Sequence, residues 1–179
     1  MSDTLITIIA IFLAAVLLFI FPLMSISERN DDISQTVVQT ATSEFVDEIA
    51  ISGLIKPSSY EAYQQKLVAT GNSYEIEMEV QHLDQNPGKK SATTSANAIG
   101  ENVRYSTFTT EILNSMYTEE PAKSYSLKKG DNVIVTVKNT NKTMAQTLRT
   151  FFYKVTGQGT YQIAASSSSM VVNTGKTTN

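Results

Sequence analysis

Residues 5–24 read LITIIAIFLAAVLLFIFPLM, an apolar run without a charged side chain. About 20 helical residues rise about 30 Å, which matches the hydrocarbon thickness of a bilayer. The nearest charges are Asp3 and Glu28. The run is apolar on every side and has no polar face to turn toward water. It therefore predicts a helix that spans a membrane.

A cleaved signal peptide is the alternative interpretation of this run, because Ser25 and Ser27 offer small residues for a cleavage site. Signal peptides usually begin with basic residues and have an apolar core of about 7 to 15 residues. Residues 1–4 contain no Lys or Arg, and the run is longer than such a core. We therefore expect residues 1–27 to be an uncleaved anchor, with one membrane or assembly surface formed by Ile8, Ile11, Ala15, Leu18 and Pro22.

The orientation of the anchor depends on composition, because the positive-inside rule finds only Arg29 near the run. The chain is rich in Ser and Thr and has no cysteine, which excludes disulfides, metal thiolates and thiol nucleophiles. We interpret this composition as that of an exported head. The expected location is the cell membrane, crossed once, with the soluble head outside the cell.

Residues 28–56 keep a helical pattern and predict an amphipathic stalk. Acidic residues lie off a stripe of apolar residues that recur at every fourth position, namely Ile33, Val37, Ala41, Phe45 and Ile49. The membrane helix either continues into this stalk or is followed by a fresh helix capped by Asp31 or Asp32. Gly53 weakens the helix, and Pro57 ends any continuation.

Residues 57–172 predict an α+β head. Residues 58–61 form a capping-box pattern for a second helix, with Gly71 placed to end it. Alternation of apolar and polar residues over 74–82 predicts a strand with one buried face, and Val133, Val135 and Val137 predict another.

The remaining head segments complete this expectation. Residues 108–116 predict a short helix, and a second capping box at 143–146 predicts another. Residues 161–172 predict a strand interrupted by a bend or hairpin. Residues 84–102 predict an exposed loop, and 173–179 a flexible tail. We expect an antiparallel or mixed sheet of about four strands packed with about three helices.

The sequence contains few residues that could form a catalytic or metal-binding site. His82 is the one histidine, and its place at a strand end is more typical of a structural residue than of a general base. Glu75, Glu77 and Glu79 lie along a straight strand, which supplies neither a calcium loop nor a carboxylate pair in a cleft. Nucleotide-binding and zinc motifs are absent from the sequence. We predict no enzyme activity, no cofactor and no metal.

The charges are divided between the two halves of the chain. Residues 1–84 carry 12 acidic and 3 basic side chains, whereas 85–179 carry 5 and 11. This asymmetry can join the halves within one molecule or join neighbouring copies, and nucleic-acid binding is not expected. A stretch rich in basic residues is either a solvated face or a partner contact, and it contains Lys138, Lys142, Arg149 and Lys154.

The layout of anchor, amphipathic helix and small head resembles pilins and pseudopilins of the type IV superfamily. Residues 45–77, from Phe45-Val46-Asp47 through Tyr60 to Tyr74-Glu75-Ile76-Glu77, resemble pilin-like proteins of Flp or Tad pilus clusters in Gram-positive bacteria. Residues 146–153 are similar as well. The glycine that precedes the cleavage point in prepilins of these families is not found before Leu5.

The resemblance implies a minor pilin or an assembly component of a Flp/Tad-type pilus or secretion apparatus. Such a subunit would act through helix packing and head contacts. Its expected partners are the membrane and other pilin-like subunits or assembly proteins, with a homo-oligomer as one form. The alternative is an anchored extracellular binding module that uses the 84–102 loop or the basic 138–154 face.

Overall fold

The computed structural model describes residues 2–83, 104–118, 120–153 and 162–176. These residues form four helices and six strands. In chain order they are α1 Ser2–Ser52, β1 Leu54–Ile55, α2 Pro57–Val68, β2 Tyr74–Leu83, β3 Arg104–Phe108, α3 Thr109–Tyr117, β4 Tyr125–Ser126, β5 Asn132–Asn139, α4 Met144–Tyr153 and β6 Ala164–Met170.

The predicted α+β class is confirmed, and the sheets are antiparallel throughout. β2, β3, β5 and β6 form one four-stranded sheet in the order β3-β2-β5-β6, and β1 pairs with β4 in a second, two-stranded sheet. β2 and β5 lie at the centre of the larger sheet, paired from Tyr74 opposite Asn139 to Gln81 opposite Asn132. Their alternating side chains produce one buried face, as the period-two pattern predicts.

α1 is a single continuous helix, so the alternative of a fresh helix at Asp31 or Asp32 is not adopted. Pro22 lies inside the helix without ending it. Beyond the apolar run, α1 packs on β6 and β5 of the sheet through one face of residues 27–50. The predicted stalk therefore does not stand apart from the head, because the second half of α1 is one of the head's core elements.

The hydrophobic core lies between α1, α2 and the buried face of the four-stranded sheet. α1 contributes Val38, Val46 and Ile49, all of them fully buried. Residues from the strands and the other helices complete the cluster, including Tyr63, Leu67, Met78, Val80, Ile112, Met116, Val133, Val135 and Val137. The burial of these side chains is the main force that holds the helix on the sheet.

The two predicted capping boxes have different outcomes. At α4 the box forms. The backbone N–H of Gln146 donates to Thr143 Oγ1, and the backbone N–H of Thr143 donates to Gln146 Oε1, both at 3.2 Å. At α2 the prediction is wrong, because Pro57 is the first helical residue and Lys56 the N-cap. Proline presets the helical φ at that position, so Ser58 already lies within the first turn. The next residue, Ser59, donates from Oγ to Glu48 Oε1 on α1 at 2.6 Å.

Three further predictions in the head are corrected. β3 was not expected, because its side chains are largely exposed and show no clear alternation. Phe108 ends this strand in an exposed position rather than lying on the face of α3. β6 continues without a bend through four serines, each paired with a residue of β5. Strand pairing supplies the backbone bonds there, so the low strand preference of serine does not decide the outcome.

The C-terminal segment is docked on the head as far as the structure describes it. Gly175 N–H donates to Leu127 O at 2.9 Å, and Asn173 Nδ2 donates to Ile51 O at 2.9 Å. Residues 173–176 of the predicted flexible tail are therefore part of the fold. Residues 177–179 and the predicted loop at 84–102 lie outside the described residues.

Candidate assembly helix and its surroundings

The first half of α1 presents apolar side chains to its surroundings on all sides. Between residues 3 and 26 only Val16, Ile20 and Met24 are less than largely exposed. The predicted surface is exposed at each of its positions, Ile8, Ile11, Ala15, Leu18 and Pro22. An exposed apolar surface of this extent is typical of a membrane or protein contact. α1 is the one helix in the described part of the chain that is long and apolar enough to cross a membrane.

The second half of α1 has a buried face that differs from the predicted stripe. Ala41, Phe45 and Ile49 are buried as expected, but Ile33 is 54% and Val37 is 38% exposed. A helix turns about 100° per residue, so a repeat of four residues drifts by about 40° at each step. A strict repeat of four cannot stay on one face over four turns. The observed face alternates steps of four and three, passing through Ser27, Asp31, Ser34, Val38, Ala41 and Phe45.

The part of this buried face nearest the apolar run is polar, and Asp31 on it is bonded to the head. Thr143 Oγ1 donates to Asp31 Oδ2 at 2.7 Å. A buried carboxylate needs such a donor, because leaving it without a hydrogen bond lowers the stability of the fold by about 1 to 3 kcal/mol or more. Gln35 makes two bonds to Ala164, donating to its carbonyl at 2.6 Å and accepting from its N–H at 3.0 Å. The side-chain amide of Gln35 thus occupies the open edge of β6.

The predicted partner surface of basic residues does not form one free face. Arg149 Nε donates to Glu28 Oε1 at 2.9 Å, which joins α4 to α1 within the chain. Lys138 Nζ lies 3.8 Å from Glu77 Oε2 across neighbouring strands. Lys142 is exposed, and Lys154 lies outside the described residues. The charge asymmetry of the sequence therefore joins its two halves within one molecule at these positions.

His82 lies in a small polar cluster that joins three parts of the head. Its Nδ1 is 2.9 Å from Asp131 Oδ2, and its Nε2 is 3.0 Å from the hydroxyl of Tyr125. Asp131 also accepts the backbone N–H of Lys128 at 2.9 Å and that of Leu83 at 3.3 Å. Burial raises the pKa of the Tyr125 phenol. The cluster ties β2 and β4 to the turn before β5, a positioning role.

The glutamates on β2 face outward, where Glu77 and Glu79 have basic or polar partners on the sheet. Glu79 accepts from Ser106 Oγ at 2.6 Å and from Gln81 Nε2 at 3.1 Å. These bonds, that of Ser106 first, hold the pKa of the Glu79 carboxyl below its usual range. Glu75 is exposed and opposite Lys138 in register. Among the described residues no group of three or more His, Asp or Glu side chains is arranged to hold a metal ion.

Surface clefts of mixed polar and apolar lining occur at three places in the described structure. A cleft of about 320 Å³ lies between α1 and α2 beside Glu44 and Lys66, which form a salt bridge at 2.7 Å. One of about 390 Å³ lies on the sheet beside α3. The third, of about 440 Å³, lies where β5 ends near α4, beside Asn139 and Lys142. The Oδ1 atom of Asn139 is buried without a hydrogen-bond partner in the described structure.

Comparison with protein-family models, curated proteins and solved structures found no match for this chain. The geometry therefore carries the functional argument. The polar contact between α1 and α4 was missed by the sequence patterns. The signal was present in the small and polar residues Ser27, Asp31 and Ser34, which follow the alternating spacing of a buried helix face.

Proposed function

We propose that the chain is a membrane-anchored structural subunit, a minor pilin-like or assembly component of a Flp/Tad-type pilus or secretion apparatus. One observation carries this proposal. A single helix, α1, exposes an apolar first half and buries its second half as a core element of the head. Any partner that packs against the first half is thereby rigidly connected to the head.

The two halves of α1 differ in what shields their apolar side chains from water. One face of residues 27–50 is covered by the chain's own sheet and helices. Residues 3–26 are not covered in the same way, and apolar surface gains about 25 cal/mol per Å² when it is removed from water. Lipid can provide this cover before assembly. Neighbouring copies of the same helix can provide it in a filament, where many such helices pack side by side.

The segments that resemble pilin-like proteins support the proposal by their positions in the fold. Phe45 and Val46 are buried on α1, and Tyr60 is buried on α2 beside Phe45, with ring centroids 6.2 Å apart. Residues 69–73 form the turn that leads from α2 into β2, and residues 74–77 begin that strand. The resemblance thus falls on the elements that attach α1 to the head.

The alternative of an anchored binding module has less support. Its two candidate surfaces were the 84–102 loop, which lies outside the described residues, and the basic 138–154 face. Arg149 and Lys138 of that face are engaged with Glu28 and Glu77.

Cysteine crosslinking in the native envelope tests the proposed assembly, because the chain contains no cysteine of its own. Single variants Ile8→Cys, Ile11→Cys, Ala15→Cys and Leu18→Cys would be oxidised in whole cells. These four positions lie on one face of the helix, so specific packing through that face predicts covalent dimers at them and none for Leu13→Cys and Leu17→Cys on the opposite face. Glu75→Cys, on the outer face of the sheet, is the control for random collision. Uniformly monomeric chains at all four helix positions would refute the proposal.

A further inference from the structure

We propose that one exposed face of α1, just outside the membrane, is the contact surface for a second copy of this chain, with Ile26, Ile33 and Val37 at its centre. In this pair the two α1 helices lie side by side, parallel and at the same height. The inference rests on the membrane anchoring that the proposed function contains. It adds a defined partner and a contact that lies beyond the lipid.

Three apolar side chains beyond the run point in nearly the same direction from α1. Ile26, Ile33 and Val37 are separated by steps of seven and four residues. At about 100° per residue, seven residues return to within about 20° and four residues to within about 40° of the starting direction. The same steps lead back along the apolar run to Phe19, Ala15 and Ile8. One narrow face of α1 therefore carries apolar side chains from the run into the head.

This face has no cover from the described residues of the head between the apolar run and α2. Ile26 and Ile33 are exposed by 60% and 54%, and Val37 by 38%. Eleven residues beyond Ile33, on the same side of the helix, Glu44 is bonded to Lys66 of α2 at 2.7 Å. The side of α1 that α2 covers farther along is thus left open at Ile33 and Val37.

Lipid does not cover the outer two of these side chains. Ile33 and Val37 lie 9 and 13 residues beyond Met24, the last residue of the run. At 1.5 Å per residue these separations are about 13 and 20 Å along the helix axis. The headgroup region on each side of a bilayer is only about 5 to 7 Å thick. Both side chains therefore face water unless another protein surface covers them.

A second copy suits this face because anchoring brings equal surfaces together. Copies held in one membrane with the same orientation have parallel α1 helices. Ile33 and Val37 of one copy then meet the same residues of the other copy at equal height. A twofold contact requires a surface that is complementary to itself, and an uncharged apolar stripe meets that condition. The contact is continuous with the apolar run through Ile26.

The charges of α1 beside this face do not oppose the pair. Within residues 26–37, Arg29 is the one charged side chain of α1 that lies within about 90° of the centre of the face. A twofold axis parallel to the helices places the two Arg29 side chains on opposite sides of the contact, each facing Asn30 of the other copy. The acids of this segment point about 120° or more away from the centre, namely Glu28, Asp31 and Asp32.

Cysteine crosslinking of the full-length chain in lipid vesicles tests the contact. Single variants Ile33→Cys and Val37→Cys are compared with Gln39→Cys, which is exposed at nearly the same height but points about 140° away from the centre of the face. We expect several-fold more covalent dimer at Ile33 and Val37 than at Gln39. Equal yields at the three positions would refute the contact.

The contact and the proposed assembly of the apolar run are separated by adding Ile8→Cys and Ala15→Cys to the series. Dimers at these two positions without dimers at Ile33 and Val37 would refute the contact and leave the proposed assembly standing. Dimers at Ile33 and Val37 alone would support the contact and count against assembly through the apolar run.

Energy transfer between copies labelled at Ser126→Cys measures the strength of the pair in the same vesicles. An Ile33→Asn, Val37→Asn double variant should raise the dissociation constant within the membrane by at least about tenfold, because each copy loses two apolar contacts. The matched control is Ile51→Asn, Val172→Asn, which changes the same residue types at exposed positions at the far end of α1. Equal effects of the two double variants would refute the assignment of this face.

Discussion

Substitution of Gly53 by alanine is expected to displace the C-terminal segment from the end of α1. Gly53 follows the last residue of α1 with a φ of +67°. A Cβ atom at this position would overlap the carbonyl oxygen of Asn173 and the amide nitrogen of Gly175. Both of these are backbone atoms, so no side-chain rotation relieves the overlap.

The expected loss of stability has two sources. The left-handed conformation costs a residue with a Cβ about 1 to 2 kcal/mol. Displacing the segment also breaks the bonds from Gly175 to Leu127, from Lys129 to Thr174 and from Asn173 to Ile51. Each is worth about 0.5 to 1.5 kcal/mol net, partly offset by the freedom the segment regains. We expect Gly53→Ala to lower the free energy of unfolding by about 2 to 5 kcal/mol.

Gly71→Ala is the matched control, because Gly71 has a φ of +79° but no atom within 4 Å of a Cβ built on it. It should show only the backbone cost of about 1 to 2 kcal/mol. Urea unfolding of the full chain in detergent, followed by tyrosine fluorescence, measures both. In a chain that ends at Val172 the Gly53→Ala effect should fall to that of Gly71→Ala. Equal losses for the two variants in the complete chain would refute the docking of the segment.

Three further predictions concern the attachment of α1 to the head. Phe45→Ala should lower the free energy of unfolding by about 3 to 5 kcal/mol, whereas Ile33→Ala should change it by less than about 0.5 kcal/mol. Similar losses for the two variants would mean that Ile33 is buried like Phe45, as the repeat of four residues predicts. Thr143→Val should cost about 1 to 3 kcal/mol, because it leaves Asp31 buried without its donor; a neutral result would mean that water replaces the bond. Burial raises the pKa of Tyr63 to about 12. The protonated phenol therefore stabilises the fold below pH 10, and this contribution is lost as the pH rises toward 12. In thermal unfolding measured between these pH values, a Tyr63→Phe variant should lose less stability than the original chain.

Local patterns were reliable where one interaction decides the structure. The alternation of residues 74–82 gave β2, and the reciprocal Thr143 and Gln146 pattern gave the start of α4. They failed where two local signals compete. At α2 the predicted cap at Ser58 does not form, because the fixed φ of Pro57 starts the helix two residues earlier.

Strand assignments failed where pairing rather than side-chain burial forms the strand. β3 and the serines of β6 have weak patterns of their own, and both lie at the edges of the sheet. Their backbone groups are bonded by the central strands β2 and β5. A strand that is defined by its neighbour has little signature in its own residues.

The amino-acid sequence by itself determined that the chain begins with an apolar helix and continues into an α+β head, because hydrophobicity and its period are properties of local residues. Only the tertiary structure decided which face of α1 is buried and which charges are used within the chain. Glu28 and Arg149 are far apart in sequence, and their pairing depends on how α4 packs against α1. The same packing places α4 beside the end of the apolar run, a relation that no local pattern contains.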